Sequence, residues 1–595
     1  MAKPLAITDF KDLSKIFTKK KQNRDKVKSK SRKVYALDTE TFEGNIFLIA
    51  DSDGKYLDEI TPESVIKFLF AKKYQGSWNF FFNLGYDAEV ILKLLGNKLF
   101  AYRKRRQLRF KFDEFTLEYI PNKCLKIRKG RHSTVFFDIA QFYNGKTLTD
   151  AYKENIGRID KKFLEIKNKR DQFTPSYYEH NKKQVRNYCI QDCELTKKLV
   201  DKWIKLFHKA FGFYPLKWYS SGYLAERVLI NNGIEFPTFD SIPYEIQEMA
   251  YRAYYGGRFE MAKRGFIGYA CLYDINSAYP DAITKIPDLS KGEWIRSKTI
   301  HPKAKMGFFK IRANMPDCKY VPPFPFRIKN NIIFPSGKFE TYVTLEELRV
   351  CEDPSFYKIL GSYQFIPHYE EYPYKEFIEE MYQKRSDLKK NGDPMQLPLK
   401  IILNSIYGKT GQKVNRIIGN LFNPVIFAFI TGYARAQLYR FVREYGIEKQ
   451  VVAFATDSIC CTKKLDIDSD KLGEFSFEGE ADDVFFLQNG FYRRNGKWKQ
   501  RGFGKLSGKD IEHLETFEKN GKLFYKIRVL RNSRLRKSII ENQISEIGKI
   551  KEIVKQVNLN ADRKRLWLGK IESIESKIMN ESMPISLNYF EKDEI

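Results

Sequence analysis

Six acidic residues stand at spacings that suit metal-dependent chemistry on phosphates. Asp38 and Glu40 form D-x-E at the end of the strand-like run VYALDTET. Asn83 to Asp87 reads N-x-x-Y-D, and Tyr188 and Asp192 read Y-x-x-x-D, a spacing that places phenol and carboxylate one helical turn apart. The four carboxylates of this group (Asp38, Glu40, Asp87 and Asp192) can bind two metal ions, with Tyr188 orienting an attacking water. Far downstream, Asp274 ends the hydrophobic strand of LYDINSAYPDAI, and Asp457 ends another within VVAFATDSICC. Nucleotidyl transfer needs two carboxylates that hold two Mg2+ ions about 3.5–4 Å apart, and two aspartates on adjacent strand ends can supply them. Each aspartate alone reads as a turn residue or helix cap; the chemistry lies in the ordered sets.

The cations sit where a triphosphate needs them. In KIILNSIYG, Lys400, Asn404 and Tyr407 with Gly408 share one helix face. Lys400 presents an ammonium to an incoming triphosphate, and the flat face beside it suits a nascent base pair. Arg385 and Lys389, four apart on the preceding helix, are placed to grip the other phosphates, whereas Lys384 and Lys390 read as a solvated face. The glycines of Tyr254-Tyr255-Gly256-Gly257 let backbone approach a phosphate closely. Lys497, Lys499 and Arg501 follow the turn Arg494-Asn495-Gly496, as a basic element or as a solvated hairpin.

Strands and helices alternate from residue 34 to about 205, the pattern of a compact α/β domain. Within it, FEGNIFLIADSDGKYL reads as a hairpin with an Asp-Gly turn. A helix near 243–254 precedes the strand GYACLYDIN, and 286–372 is rich in Pro and aromatics and reads as a mostly β insertion. Residues 375–390 and 396–407 form an αα-hairpin, a third helix spans about 424–444, and the last ninety or so residues read as charged and mostly helical. The chain has 595 residues, 43% hydrophobic and 15% aromatic, which makes it globular rather than disordered. Its formal net charge of +31 is spread along the chain and favours polyanionic partners through counterion release. Eight cysteines without a C-x-x-C pair argue against structural zinc and for reduced thiols in a cytosolic protein. No stretch approaches the ~20 apolar residues that span a bilayer, and the N-terminus has no apolar signal core.

D-x-x-S-x-Y-P at 274–280, K-x-x-x-N-S-x-Y-G at 400–408 and T-D-S at 456–458 resemble, in order and separation, the three polymerase motifs of family B DNA polymerases. The resemblance implies a right-hand palm, fingers and thumb, with Asp274 and Asp457 as metal ligands. It implies that Tyr279 stacks under the sugar and rejects a 2′-hydroxyl, that Lys400 binds triphosphate, and that Asn404 and Tyr407 line the nascent base pair. D-x-E, N-x-x-Y-D and Y-x-x-x-D resemble the same family's 3′–5′ proofreading exonuclease. Tyr254, Gly256 and Gly257 match its Y-x-G-G element, and Lys499 with Arg501 loosely matches a basic element that holds the primer end. Asn83, Thr456 and Ser458 join the expected DNA contacts. Two departures stand out, and one choice stays open. Ala455 replaces the first Asp of the usual D-T-D; FFDIAQF occupies the place of a Ser/Thr-Leu element that binds single strands; and the supporting lysine of the exonuclease is either Lys161 or Lys162.

The expected fold is therefore α/β and α+β multidomain, an RNase H-like exonuclease domain joined to a right-hand polymerase. The expected divisions are a basic arm at 1–33, exonuclease at 34–205, palm at 206–285, an insertion at 286–372, fingers at 373–412, palm again at 413–505 and thumb at 506–595. The short chain looks most like the protein-primed branch found in small phages, archaeal viruses and linear plasmids. That branch docks a terminal protein on an insertion between the first two motifs, for which 286–372 leaves room. Its second insertion, a hairpin linked to strand displacement, has only about 410–421 available. The expected cofactor is Mg2+, two ions per active site, with Mn2+ as substitute. The expected partners are primer-template DNA, dNTPs and a terminal protein, with no membrane, for a monomer in the cytoplasm. Two competing readings are a nuclease with an impaired polymerase half, which Ala455 favours, and a binding scaffold with both sites dead, which the retained carboxylates oppose.

Overall fold

A computed structural model describes residues 18–19, 29–103, 108–317, 320–351, 353–414, 417–501, 516–520 and 522–589. Most of the basic arm expected at 1–33 lies outside the described residues, as do 506–515 at the start of the expected thumb.

The N-terminal sheet is built from β1 (Val34–Phe42), β2 (Asn45–Asp51), β3 (Tyr56–Leu57), β4 (Trp78–Phe81), β5 (Leu108–Phe112), β6 (Phe115–Ile120), β7 (Cys124–Lys129) and β8 (His132–Asp138). Their order across the sheet is β3-β2-β1-β4-β8-β7-β6-β5. β1, β4 and β8 run parallel at its centre, where both faces are covered and the strands read as near-continuous apolar runs. Helix α1 (Leu84–Lys93) follows β4, and α2 (Lys161–Asn168) precedes the long α3 (Pro175–Phe211). Thr174 caps α3 by accepting from the Tyr177 amide at 3.0 Å, Pro175 occupies its first turn, and Gly212 ends it at φ 75°. Non-helical dihedrals at Asn181 kink it. Beyond the kink the helix lies across β1 and β2, so its inward residues meet the upper face of β1.

Helix α4 (Tyr244–Arg252) leads into β9 (Arg258–Met261) and β10 (Lys263–Ile275), and α5 (Ala278–Thr284) follows at once. A second sheet then forms from β11 (Gly292–Ser297), β12 (Met306–Met315), β13 (Ser336–Thr344) and β14 (Tyr357–Pro367). The αα-hairpin is α6 (Lys375–Lys390) and α7 (Gln396–Thr410), and α8 (Pro424–Glu444) is the third helix of the sequence reading. Next come β15 (Val451–Thr456), β16 (Ser458–Cys461), β17 (Phe475–Gln488), β18 (Phe491–Arg494) and β19 (Lys497–Gln500). They join β9 and β10 in the order β9-β15-β16-β10-β17-β18-β19.

Two expectations are corrected here. VVAFATDSICC is not one strand. Thr456 adopts φ 75°, the left-handed region, and turns the chain back so that β15 and β16 pair with each other, Phe454 opposite Ile459. The C-terminal segment is not mostly helical. Its described elements are chiefly β20 (Thr516–Lys519), β21 (Lys522–Asn532), β22 (Ile550–Asn558), β23 (Arg565–Trp567), β24 (Met579–Pro584) and β25 (Ser586–Tyr589), with one short α9 (Leu535–Ile540). Charge density suggested helix, but Tyr525, Ile527 and Val529 alternate into the core with period two, the mark of a half-buried strand. β25 also completes the second sheet by pairing parallel to β13.

One core cluster runs from Trp78, Phe142 and Trp203 under the first sheet to Leu399, Ile406 and Val425 on α7 and α8. Phe142 stacks on Trp203 with centroids 4.5 Å apart. Each such side chain contributes about 1.5–3 kcal/mol on burial, so the two functional halves are held by one apolar interior. No helix among the described residues is long and apolar enough to cross a membrane.

Candidate active sites

The palm-like site is assembled by strand pairing. Asp274 at the end of β10 lies opposite Ser458 in the β10–β16 register, and the Ile275 amide donates to the Asp457 carbonyl at 2.9 Å. The two aspartates therefore project side by side from neighbouring strand ends. They line a cavity of about 500 Å3 with Ala455, Ser458, Glu478, Arg494, Lys499 and Arg501. Burial above all, then the charges of Asp457 and Glu478, pushes the Asp274 carboxyl to about 7. Burial also raises Asp457, against the pull of its own backbone hydrogen bond and of Arg501. Carboxylates pressed together in this way bind divalent cations readily, because the ion removes the mutual repulsion. Of the basic residues after the hairpin turn, Lys499 and Arg501 face this cavity, while Lys497 is exposed at the turn and outside the lining.

Aromatic and small residues shape the floor. Tyr279 on α5 packs on Tyr407 of α7 with centroids 4.3 Å apart, and the Tyr407 hydroxyl lies 3.3 Å from that of Tyr254. A Cβ at Gly257 would stand 2.7 Å from the Thr456 Cγ2 and 3.2 Å from the Tyr279 hydroxyl. That glycine is required for Thr456 and Tyr279 to approach, a packing reason beside the phosphate contact expected of it. Arg435 secures the loop from behind, donating to the Gly256 carbonyl at 2.5 Å and to Glu347 at 2.8 Å.

Three cations converge on the helical side. Arg385 donates to the Ser277 hydroxyl at 3.3 Å, and its Nε is buried without a hydrogen-bond partner. Burial, then the neighbouring charges of Arg385 and Lys389, lowers the Lys400 ammonium from its usual value. Three cations brought together and partly desolvated in this way favour the approach of an anion. Asn404 is exposed one turn beyond Lys400 on the same helix.

The second site lies between β1 and α3. Asp38 and Glu40, two apart on β1, point to one face. Tyr188, Cys189 and Asp192 come down on that face from α3, and Asp87 enters from α1, where the Thr39 hydroxyl donates to it at 2.6 Å. Burial dominates throughout. It raises Asp38 well above the carboxylate range, with the charges of Asp192, Asp87 and Glu40 adding to the effect. It moves Glu40 to about 8 against the opposing pull of Arg170, and Asp87 to about 7 against the Thr39 hydrogen bond. Burial and the charges of Asp192 and Glu40 raise the Tyr188 phenol, keeping it protonated as a donor. Asn83 starts α1 in the left-handed region at φ 67°, exposed, with its amide held by Asp138 at 3.0 Å. Asp138 belongs to FFDIAQF, so that altered segment anchors the second motif.

The lysine of this site is neither of the two expected. Lys161 and Lys162 are exposed in the first turn of α2, where Asp160 caps the Lys162 amide. Lys167, at the far end of the helix, reaches Asp192 at 3.2 Å, and Arg170 stands 3.9 Å from Glu40. The helical rise carries the charge toward the site, and only a known path for α2 could have selected it. Glu478 in the palm-like cavity was missed for a similar reason: it comes from a strand pairing irregularly with β10 between Leu272 and Tyr273.

Comparison with known proteins agrees with this architecture. The chain is 24% identical to a DNA polymerase of Acidianus bottle-shaped virus over 90% of both chains. It is 26% identical to a probable DNA polymerase of Ascobolus immersus, over 41% of this chain and 20% of that one. Phi29 DNA polymerase complexed with primer-template DNA and incoming nucleotide superposes with a TM-score of 0.60 at 14% identity, over 89% of this chain and all of that one. The same enzyme with single-stranded DNA gives 0.56 at 16% identity, over 88% and 92% of the two chains. These likenesses establish a shared fold, an exonuclease-type α/β domain beside palm, fingers and thumb. The family model for type B DNA polymerases of organelles and viruses matches residues 110–418. That match takes in more than half of the chain, and the protein belongs to this family of DNA polymerases.

Proposed function

We propose that the protein is a template-directed DNA polymerase that extends a primer 3′ end with dNTPs by two-metal nucleotidyl transfer and edits it with a 3′–5′ exonuclease. The observation that carries this reading is the meeting of Asp274 and Asp457 in one cavity faced by Lys499 and Arg501. The residues present fit divalent ions: Asp274 is raised by burial and then by its acidic neighbours, and Glu40 keeps a buried oxygen, Oε1, without a partner. Asp274 and Asp457 would hold the polymerase ions, and Asp38, Glu40, Asp87 and Asp192 the exonuclease ions, with Mg2+ or Mn2+ supplying positive charge at the reacting phosphate. Lys400, Arg385 and Lys389 bind and orient the triphosphate. Tyr279, backed by Tyr407, excludes a 2′-hydroxyl, and Asn404 lies beside the nascent base pair. Tyr254, Gly256, Gly257, Thr456, Ser458, Lys499 and Arg501 hold the duplex, and Asn83 the frayed end. At the second site Tyr188 orients water and Lys167 with Arg170 steadies the phosphate.

The expected boundaries of exonuclease, palm, insertion, fingers and thumb are proposed on the same basis. So is protein priming, with 286–372 as the docking region for a terminal protein, in a monomer working in a host cytoplasm. Among the described residues between α7 and α8 only the short strands Lys413–Val414 and Ile417–Ile418 occur, which supports weak strand displacement. One feature favours a second reading, a nuclease with an impaired polymerase half: Ala455 lines the cavity where a carboxylate is usual. A primed template incubated with Mg2+, with and without dNTPs, decides between them on one gel. Extension with dNTPs and shortening without them support the leading reading, and shortening alone in both lanes supports the second.

A further inference from the structure

Seven cysteines are described and all are buried, yet one differs from the rest in its company. Among the described residues, the Sγ of Cys189 and one carboxylate oxygen each of Asp38 and Glu40 lie within 4.8 Å of one another. Ligands held tetrahedrally on one ion at about 2.0–2.3 Å stand roughly 3.3–3.8 Å apart, so an inward movement of about an ångström brings all three onto a single ion. The Cys189 thiol lies 3.8 Å from the Asp38 carbonyl, and Cys193, one turn along α3, turns its thiol to the Ala50 carbonyl at 3.3 Å and is not grouped with the two carboxylates. A second, independent observation points to a ligand here. Glu40 is only 2% exposed, one of its oxygens faces Arg170, and its Oε1 has no hydrogen-bond partner. A buried acceptor left open in this way is a place for an ion or a water, and beside two further ligand groups it suits a cation.

We propose that Cys189 is a ligand of one exonuclease-site ion, making that position a mixed oxygen–sulfur site that prefers thiophilic divalent cations (Co2+, Zn2+, Cd2+) to Mg2+. The inference rests on reading the β1–α3 cluster as a metal-dependent nuclease. Sulfur is a soft donor and selects softer ions than an all-oxygen set does. On binding, the thiol gives its proton to solvent and the thiolate coordinates. The palm-like cavity offers the oxygens of Asp274 and Asp457; Cys271 and Cys460 also line it, but among the described residues neither thiol groups closely with two of its carboxylates. Metal identity would therefore divide the two activities: a thiophilic ion takes hold at the editing site at concentrations that leave the polymerase site to Mg2+.

The full-length protein, free of DNA, is titrated with Co2+ and followed by near-ultraviolet absorbance, where sulfur-to-cobalt charge transfer gives a band that carboxylates do not. Wild type is expected to develop the band. C193S should retain it, and C189S and D38A should lose it while keeping the wild-type far-ultraviolet circular dichroism. Cd2+ affinity should fall at least ~10-fold in C189S, as ligand-shell changes commonly produce. A wild-type spectrum without the band overturns the proposal even if no variant folds, and so does a band of equal strength in folded C189S. Degradation of single-stranded DNA with Mg2+ is measured in parallel on wild type. A sulfur band without degradation refutes the nuclease reading and leaves Cys189 a metal ligand; degradation without the band refutes the ligand and leaves the nuclease.

Discussion

The two carboxylate sites solve one chemical problem in different surroundings. At the β1–α3 site, Glu40, Asp87 and Asp192 are each at most 4% exposed, enclosed between a parallel sheet and a long helix. At the palm-like site, Asp274 and Asp457 are half-buried at the mouth of a cavity, with an exposed Glu478 beside them. Burial above all holds the carboxylates of the enclosed site above their usual range, and at Glu40 Lys167 and Arg170 relieve this only in part. The open site is a cavity of about 500 Å3, with cations on its rim and others on α6 and α7. Depth suits a site that admits one unpaired strand, and openness suits one that must translocate.

The strongest way to break this comparison is to remove one carboxylate from each site. Asp457→Asn is expected to reduce primer extension at least ~10³-fold while degradation of single strands persists, and Glu40→Gln to do the reverse, because each set clamps its own phosphate. Running-start extension and end-labelled degradation on the same preparations measure both, and loss of both activities in either variant would show that the sites are not independent.

Next comes the response of the metal-free protein to pH. Asp274 and Asp87 titrate near 7 and Glu40 near 8 in the folded chain, against ordinary values of 3.8 for Asp and 4.5 for Glu. Between these limits the folded state holds protons that the unfolded chain has released. Stability should therefore be greatest below about pH 4, as far as these groups go, and should fall as pH rises to about 8. Melting temperatures in EDTA across that range test the slope, and added Mg2+ should flatten it by favouring the ionised forms. An EDTA profile that rises from pH 5 to 8 contradicts the burial argument.

A smaller effect sharpens the picture of the open site. Tyr279→Val should narrow the preference for dNTP over rNTP by roughly 10–100-fold, since one packing contact in a pocket carries about that much discrimination. Extension on one template with each nucleotide type gives the ratio directly. The smallest effect separates the lysines of the enclosed site. Lys167→Ala should slow degradation about tenfold, in keeping with the loss of one orienting partner, whereas the double change at Lys161 and Lys162 should leave it unchanged. Equal loss in both proteins would put α2 elsewhere.

The sequence foretold much of this, and its failures share a cause. Asp38, Glu40, Tyr188, Asp192, Lys400 and Tyr407 lie on elements whose period is visible in a short window, two for strands and near four for helices. Their relative placement on one strand or helix face could be read without a structure, as could the αα-hairpin and the helix at Pro424–Glu444. The hairpin turn at Thr456, the strands of the C-terminal segment, Lys167 rather than Lys161 or Lys162, and the nearness of Glu478 to Asp274 could not. Local pattern settles which side of an element a residue occupies, because that depends on its neighbours in the chain. Which two elements meet, and at what register, is decided by packing over hundreds of residues. Only the folded chain could bring Asp274 to Asp457, or set the thiol of Cys189 beside two carboxylates.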